Sequence, residues 1–322
     1  MRLANQTEAV AFLHAVDLFE PELRAAVIVK KTYALLERGK LAAAPDPLPL
    51  VVDQLVTDFG HFHGEVYFRK RGVDVCVLGT ARFDAPVRHT RVRVGVGDFA
   101  HELRLVGDRV WTRDRGPGKG GAVASAPVPF REMPLSYARS YGGLARVAGE
   151  EVPWPDNPVG RGYYESLDEA IGQPLPNIEH PQSPADYRWD NRLPVAGWAP
   201  YPMYWGLRGS RAVKTEAKTG EILDITPELF NHAHPDLILE RVDAGAPVQV
   251  SGLQNVPIAF AVPRERPRVE VQVGGATSEA LGEIDGLFVW ADAGRVVVTW
   301  RARFRYAVRR EELRRAVLTF VE

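Results

Sequence analysis

One short segment contains residue types that bind metal ions. "NHAHPD" (231–236) places His232, His234 and Asp236 close together, and imidazole and carboxylate groups are common ligands of divalent metals. Eight histidines in 322 residues also form such pairs by chance, so capping of a helix end or exposure to solvent is the favoured interpretation. The sequence therefore predicts no metal and no cofactor, and these three residues remain weak candidates.

Other reactive arrangements are incomplete in this sequence. "RGPGKGGA" (115–122) has glycines and a lysine but neither the spacing of a phosphate-binding loop nor the Ser or Thr that follows it. No "GxSxG" turn presents a nucleophilic serine. Neither pattern therefore provides a catalytic constellation.

Aromatic residues in the middle of the chain suggest an alternative function. Carboxylates beside aromatic rings, as in "EEVPWPDN" (150–157), could serve carbohydrate binding or glycoside hydrolysis. The aromatic residues are Trp154, Tyr163, Tyr164, Trp189, Trp198, Tyr201, Tyr204 and Trp205. Packing of these rings in the core of a helix-poor region is the favoured interpretation, and carbohydrate binding remains the alternative.

The segment "DNPVGRGYYESLDEAIGQPLPNIEHP" (156–181) combines turn-forming residues with specific polar ones. Gly160 and Gly162 allow tight backbone turns, Pro158 fixes φ, and the Asn157 side chain can bond neighbouring amides. A structural role is favoured for this segment over direct contact with a partner, and catalysis is the least favoured.

Two charged residues of the same segment are candidates for holding it together. Arg161 and Glu179 are expected to pair with each other or with backbone groups, which would join the two halves of the segment.

The composition excludes several broad classes of protein. A formal net charge of −1 offers no basic excess for neutralising a nucleic-acid backbone. The single cysteine, Cys76, excludes an internal disulfide and lies in an apolar run, where we expect a buried thiol. Without a secretory leader or a long apolar run, no membrane association is expected, and the protein is predicted to be cytoplasmic.

The elements that must position these residues are mainly strands. In 90–111, Val92, Val94 and Val96 alternate with Arg91 and Arg93. This pattern is typical of antiparallel strands that expose one face of the sheet to solvent. Strand pairs are likewise predicted at 25–44 and 65–84, and a hairpin at 286–304. Short helices are predicted at 134–143, 166–172 and 226–233.

The chain is predicted to form a single β-rich domain (1–322), with antiparallel sandwich-like or strongly bent sheets and a loop-rich, helix-poor middle. N-terminal strands (1–111) and C-terminal strands (246–322) flank a middle region (112–245) that holds 16 of the 25 prolines. Because disordered segments are poor in aromatics, the Trp and Tyr of this middle region predict an ordered structure.

Five motifs of this sequence, taken in order, resemble those of a known protein family. They are "MPLSYARSYGG" (133–143), "NPVGRGYY" (157–164), "LPNIE" (175–179), "GWAPYPMYW" (197–205) and "VTWRARF" (298–304). The succession resembles the bacterial domain-of-unknown-function 2169 family from about residue 4 to 306.

The resemblance implies a non-enzymatic adaptor or chaperone. Such a protein would bind an effector toxin or a PAAR spike-tip protein and help to load it onto the VgrG spike of a type VI secretion system. The residues singled out as motif and possible partner-binding positions are Tyr141, Gly142, Gly143, Asn157, Pro158, Gly160, Arg161, Gly162, Tyr163, Asn177, Glu179, Trp205, Trp300 and Arg301.

The sequence departs from the family pattern at 208–239. A "GTYD…W" stretch that family members often carry is missing there. If this region contacts partners, the partner or the mode of contact differs from the common type.

Overall fold

A computed structural model describes residues 2–14, 24–57, 60–68, 70–114, 116, 121–216, 218–273, 276–305 and 313–321. The elements of the first third are β1 (Arg2–Asn5), β2 (Val10–His14), β3 (Arg24–Leu35), a 3-10 helix (Glu37–Gly39), β4 (Leu41–Ala43), β5 (Gln54–Thr57), β6 (Gly60–His63), β7 (Val73–Leu78), β8 (Thr80–Val87), β9 (His89–Val96), β10 (Phe99–Val106) and β11 (Trp111–Arg113).

The middle region is built from short elements joined by loops. They are β12 (Ala122–Ala124), β13 (Phe130–Pro134), a 3-10 helix (Tyr137–Arg139), β14 (Tyr141–Gly142), β15 (Leu144–Val147), β16 (Glu150–Pro153), β17 (Arg161–Gly162), α1 (Leu167–Ala170), β18 (Ile178–Glu179), α2 (Gly206–Ala212), β19 (Val213–Thr215), β20 (Ile222–Ile225), 3-10 helices (Pro227–Phe230 and Pro235–Leu237) and β21 (Ile238–Leu239).

The last third returns to longer strands. They are β22 (Pro247–Ser251), β23 (Ile258–Ala261), β24 (Arg266–Val273), β25 (Ala276–Leu281), β26 (Glu283–Trp290), β27 (Arg295–Arg305) and β28 (Leu313–Val321).

Three sheets contain most of the longer strands. The first has the order β2-β3-β27-β26-β7-β21 with β4 beside β3, and its β26–β7 pair is parallel. The second is antiparallel, β18-β10-β9-β22-β23. The third is β1-β28-β24-β25, with β1 and β28 parallel. The predicted mainly β class is confirmed.

One apolar core receives side chains from all three sheets. Val29 comes from the first sheet, Val94 from the second and Val271 from the third, each fully buried. Trp198 of the middle region and Trp300 of β27 are the largest buried side chains in this core. Burial of such aromatic area is the main force that holds the sheets together.

Local patterns predicted several elements correctly. Along β9, Val92, Val94 and Val96 are buried, whereas Arg91 and Arg93 are exposed, as alternation requires. The predicted pair at 25–44 and the hairpin at 286–304 are also present. Helical turns lie inside all three predicted helices, although those at 137–139 and 227–230 are 3-10 helices.

Two expectations differ from the structure. The first arm of the predicted pair at 65–84 is not a strand in its described residues, because Glu65 turns inward and binds Lys30 Nζ at 2.7 Å. Helix α2 was not predicted, since Gly206 and Gly209 disfavour a helix. Among the described residues, no helix is long and apolar enough to cross a membrane.

A buried charge network lies in the first sheet. Asp74 of β7 accepts hydrogen bonds from Lys70 Nζ at 2.7 Å, from Asn231 Nδ2 at 2.9 Å, and from the backbone N–H groups of His232 and Ala233. Burial alone would raise the pKa of Asp74, but Lys70 and the hydrogen bond from His232 outweigh it and hold the pKa well below its usual range.

We expect Asp74→Asn to lower the free energy of unfolding by about 3–5 kcal/mol. The amide nitrogen would face N–H donors, and Lys70 would keep a buried charge without its nearest counter-charge. Because the folded-state pKa of Asp74 lies below the unfolded value of about 3.9, its stabilisation is complete above that pH and is lost as the pH falls below it. Urea unfolding at pH 7 and pH 3 measures both effects.

Glu102→Gln is the matched control, because Glu102 pairs with Arg91 at the surface. We expect a change below about 1 kcal/mol. Equal losses of unfolding free energy in the two variants would show that the buried network stabilises the fold no more than a surface ion pair does.

Candidate partner-binding groove and the segment that supports its fold

Asn157 lies at the centre of the motif segment and is fully buried. Its Nδ2 donates to the carbonyl oxygens of Tyr137 at 2.8 Å and Tyr141 at 3.0 Å. Its own carbonyl oxygen accepts the N–H of Gly143 at 2.8 Å. Asn157 therefore joins the "MPLSYARSYGG" and "NPVGRGYY" motifs. The prediction that its side chain bonds its own neighbouring amides is wrong, because Nδ2 reaches carbonyl groups distant in sequence and Oδ1 has no hydrogen-bond partner among the described residues.

Glycines permit the close approach of these two motifs. Strands β14 and β17 pair in parallel, Tyr141 opposite Arg161 and Gly142 opposite Gly162. Gly142 has a φ of +145°, and a Cβ on it would lie 2.1 Å from the carbonyl oxygen of Asn157. Only glycine fits at this crossing.

Asn177 connects the segment to the second sheet. Its Oδ1 accepts from Arg161 Nη1 at 3.1 Å and from Arg139 Nη1 at 3.4 Å. Its Nδ2 donates to the carbonyl of Val106 in β10 and to Asp108, both at 3.0 Å. This fully buried amide thus receives donors from the motif loops and donates to the sheet.

Glu179 has partners other than the expected one. Glu179 and Arg161 do not pair with each other, because Arg104 binds Oε1 at 2.8 Å and Arg109 binds Oε2 at 3.2 Å. The alternative prediction, pairing with backbone groups, is confirmed, since Arg161 Nε donates to the carbonyl oxygen of Ala138 at 2.9 Å. The N–H of Ala185 also donates to Oε2 of Glu179. Burial raises the pKa of Glu179 despite the two guanidinium groups. Both guanidiniums come from the β10 side, so Glu179 anchors β18 there.

An aromatic cluster packs beside the glycine crossing. The Trp154 ring lies 5.5 Å from that of Tyr141 and 5.0 Å from that of Tyr163, between centroids. The guanidinium of Arg192 stacks 4.8 Å from the Tyr163 centroid and also bonds Glu165, which accepts the Tyr163 hydroxyl. Aromatic and cation–π contacts thus replace a regular sheet here.

Most of the motif residues have little contact with solvent. Those that are buried are Tyr141, Gly142, Gly143, Asn157, Gly162, Tyr163, Asn177, Glu179, Trp300 and Arg301, and those that are partly exposed are Pro158, Gly160, Arg161 and Trp205. The buried motif residues therefore make their contacts inside the molecule. Direct contact with a partner stays a prediction for the partly exposed residues.

A groove of about 1170 Å³ opens beside the "VTWRARF" motif. Trp300, Arg301, Asp285 and Lys70 form its buried floor. Arg301 Nε donates to Asp285 Oδ2 at 2.6 Å, and Lys70 Nζ lies 3.8 Å from Asp285 Oδ1. Burial alone would raise the pKa of Asp285, but Arg301 and Lys70 hold it below its usual range. The positive and negative side chains of the floor therefore neutralise one another.

The rim of the groove carries exposed charges of both signs. The acidic residues are Asp98, Glu240, Asp243 and Glu283, and the basic ones are Arg241, Arg264, Arg266 and Arg303. These residues come from turns and strand ends distant in sequence, so no local motif could have predicted them.

The weak metal candidates do not converge. His232 Nε2 lies 3.2 Å from the carbonyl oxygen of His63, and its Nδ1 lies 3.6 Å from Asp74. His234 Nδ1 instead accepts the N–H of Asp236 and caps the helix at 235–237, so the preferred capping interpretation is confirmed for it. His232 and His234 face different partners, and a metal bound by all three side chains is not supported.

The aromatic residues considered for carbohydrate binding lie mostly inside the molecule. Trp198, Tyr201, Tyr163 and Tyr164 are buried, whereas Tyr204 is 66% exposed. Stacking on a sugar requires an accessible ring face, which the buried rings do not offer. Carbohydrate binding stays an untested alternative.

The comparison with protein families identifies the chain. A family model described as "Uncharacterized protein conserved in bacteria (DUF2169)" matches residues 21–301, nearly the whole chain. The chain therefore belongs to this family, as its motifs indicated. No curated protein and no solved structure gives a significant match.

We expect Asn157→Ala to lower the free energy of unfolding by about 2–3 kcal/mol, because it removes two buried hydrogen bonds. Urea denaturation followed by tryptophan fluorescence measures the change. Asn191→Ala, at an exposed position, is the control and should have little effect. A loss for Asn157→Ala no larger than for the control would show that the amide does not stabilise the crossing.

Proposed function

We propose that this protein is a non-enzymatic adaptor or chaperone of type VI secretion. It binds an effector toxin or a PAAR spike-tip protein and helps to load it onto the VgrG spike. Loading precedes firing, so the proposal places the protein in the cytoplasm. Family membership motivates the proposal, and the charged groove beside the "VTWRARF" motif is the observation that carries it.

The size of the groove favours a protein ligand. Its volume of about 1170 Å³ exceeds the range of roughly 300–1,000 Å³ that is typical of small-molecule sites. Small-molecule sites are also mostly apolar, whereas this rim is strongly charged. An extended or turn-forming segment of a cargo protein fits such an open, polar groove better than a small ligand does.

The division between floor and rim suggests how a partner is recognised. Buried floor charges are neutralised by one another, so they supply a fixed shape and not a free charge. Exposed rim charges remain near solvent, where they can be matched by opposite charges on a partner. Complementary charges at a rim contribute to specificity and to the rate of association. The proposed partner therefore carries both acidic and basic residues at its contact surface.

The salt bridge between Arg303 and Glu283 offers a direct test. These exposed residues pair at 2.9 Å on the rim. Arg303→Glu places two like charges together and reverses the local charge that a partner meets. We expect at least a roughly tenfold loss of affinity, about 1.4 kcal/mol, for a spike-tip or effector protein of the same bacterium. Co-purification followed by calorimetry measures the loss.

Arg91→Glu is the matched control, because Arg91 forms an exposed cross-strand pair with Glu102 away from the groove. Circular dichroism should show that both variants fold. Retained binding in Arg91→Glu together with loss in Arg303→Glu supports the groove. Equal binding by both variants would show that the partner binds elsewhere on the protein. The absence of binding by the unchanged protein would contradict the adaptor proposal.

A further inference from the structure

A cluster of two histidines and one aspartate lies apart from the groove. One ring nitrogen each from His101 and His180 and one carboxylate oxygen of Asp236 lie within 4.8 Å of one another. His101 belongs to β10, His180 follows β18, and Asp236 lies in the 3-10 helix at 235–237. We propose that this cluster binds a divalent transition-metal ion, a function independent of the proposed adaptor role.

The surroundings of His180 suit a metal ligand. Its Nε2 lies 3.1 Å from the carbonyl oxygen of Val195. A carbonyl only accepts hydrogen bonds, so Nε2 carries the ring proton and Nδ1 presents its lone pair. Metal-binding histidines commonly donate their second ring nitrogen in this way, which fixes the tautomer and the ring orientation.

The second histidine is coupled to a buried tryptophan. The indole N–H of Trp198 donates to His101 Nδ1 at 3.0 Å, which leaves Nε2 as the ring nitrogen for a ligand. In the neutral ring that Nε2 carries the proton. Binding of a metal through Nε2 therefore shifts the proton to Nδ1 and ends the hydrogen bond from Trp198. Trp198 is fully buried, so its fluorescence should report metal binding.

Asp236 completes the set with a negative charge. Its backbone N–H is held by Nδ1 of the buried His234, which fixes the short helix that carries the carboxylate. The Asp236 side chain itself is about half exposed, so an ion could enter from solvent. His234 is thus a positioning residue, and the proposed ligands are His101, His180 and Asp236.

The ligand types define the class of metal ion. Two imidazoles and one carboxylate suit Zn²⁺ and similar divalent transition metals. Mg²⁺ and Ca²⁺ prefer oxygen ligands alone. Three protein ligands leave at least one coordination position for water or for an external ligand.

The test uses the full chain after treatment with a chelator. Isothermal titration with ZnCl₂ should show one saturable site per chain, and MgCl₂ should show none. Tryptophan fluorescence should change and saturate over the same range of zinc concentration. Asp236→Asn should weaken zinc binding at least about tenfold. Glu150→Gln, at an exposed position outside both the cluster and the groove, should bind zinc like the unchanged protein.

Circular dichroism establishes that Asp236→Asn folds, and Asp236→Glu should retain part of the affinity because it keeps a carboxylate. Zinc binding that is unchanged in Asp236→Asn would indicate adventitious binding at other histidines and would overturn the proposal. The absence of saturable zinc binding by the unchanged protein would also overturn it, whatever the variants do. In that case the three side chains would form a polar cluster without a metal.

Discussion

The buried amide of Asn177 is the contact on which the order of the middle region depends. The region has little sheet of its own, so its loops need polar anchors to the neighbouring sheets. Asn177 receives Arg161 from one loop and donates to the carbonyl of Val106 in β10. Two residues later, Glu179 binds Arg104 and Arg109. Because such buried polar groups are costly when unpaired, these bonds favour one arrangement of the loops.

The same principle explains the floor of the groove. Asp285 lies between Arg301 and Lys70, and Lys70 also pairs with Asp74 in the adjacent strand β7. These charges satisfy one another below the surface, so they keep the floor rigid and offer no free charge to a partner. Under the proposed function, recognition of a partner would fall to the exposed rim, where substitution costs little stability. A change at Arg303 would then alter specificity without loss of the fold.

Features set by local physics could be predicted from the sequence, whereas long-range pairings could not. Alternation in β9 was enough to place Val94 in the core, because the side chains of a strand alternate between its faces. Gly160 closes the turn that begins at Asn157, as its residue type suggested, whereas Gly162 lies in β17 with a φ of +99°. The strand expected from Glu65 onward is not found in the described residues of that segment, where Glu65 makes a buried bond to Lys30. The groove and the cluster of His101, His180 and Asp236 unite distant segments, so no spacing in the sequence could indicate them.

Hydrogen–deuterium exchange, measured with and without a spike-tip or effector protein, distinguishes the groove from the motif segment as the contact surface. If the groove contacts the partner and the motif segment is internal structure, exchange slows on binding at 96–99, 239–246, 263–266 and 282–285, which line the groove, and changes little at 140–163. Slower exchange confined to 140–163, with the groove unchanged, would show instead that the motif segment is the contact surface.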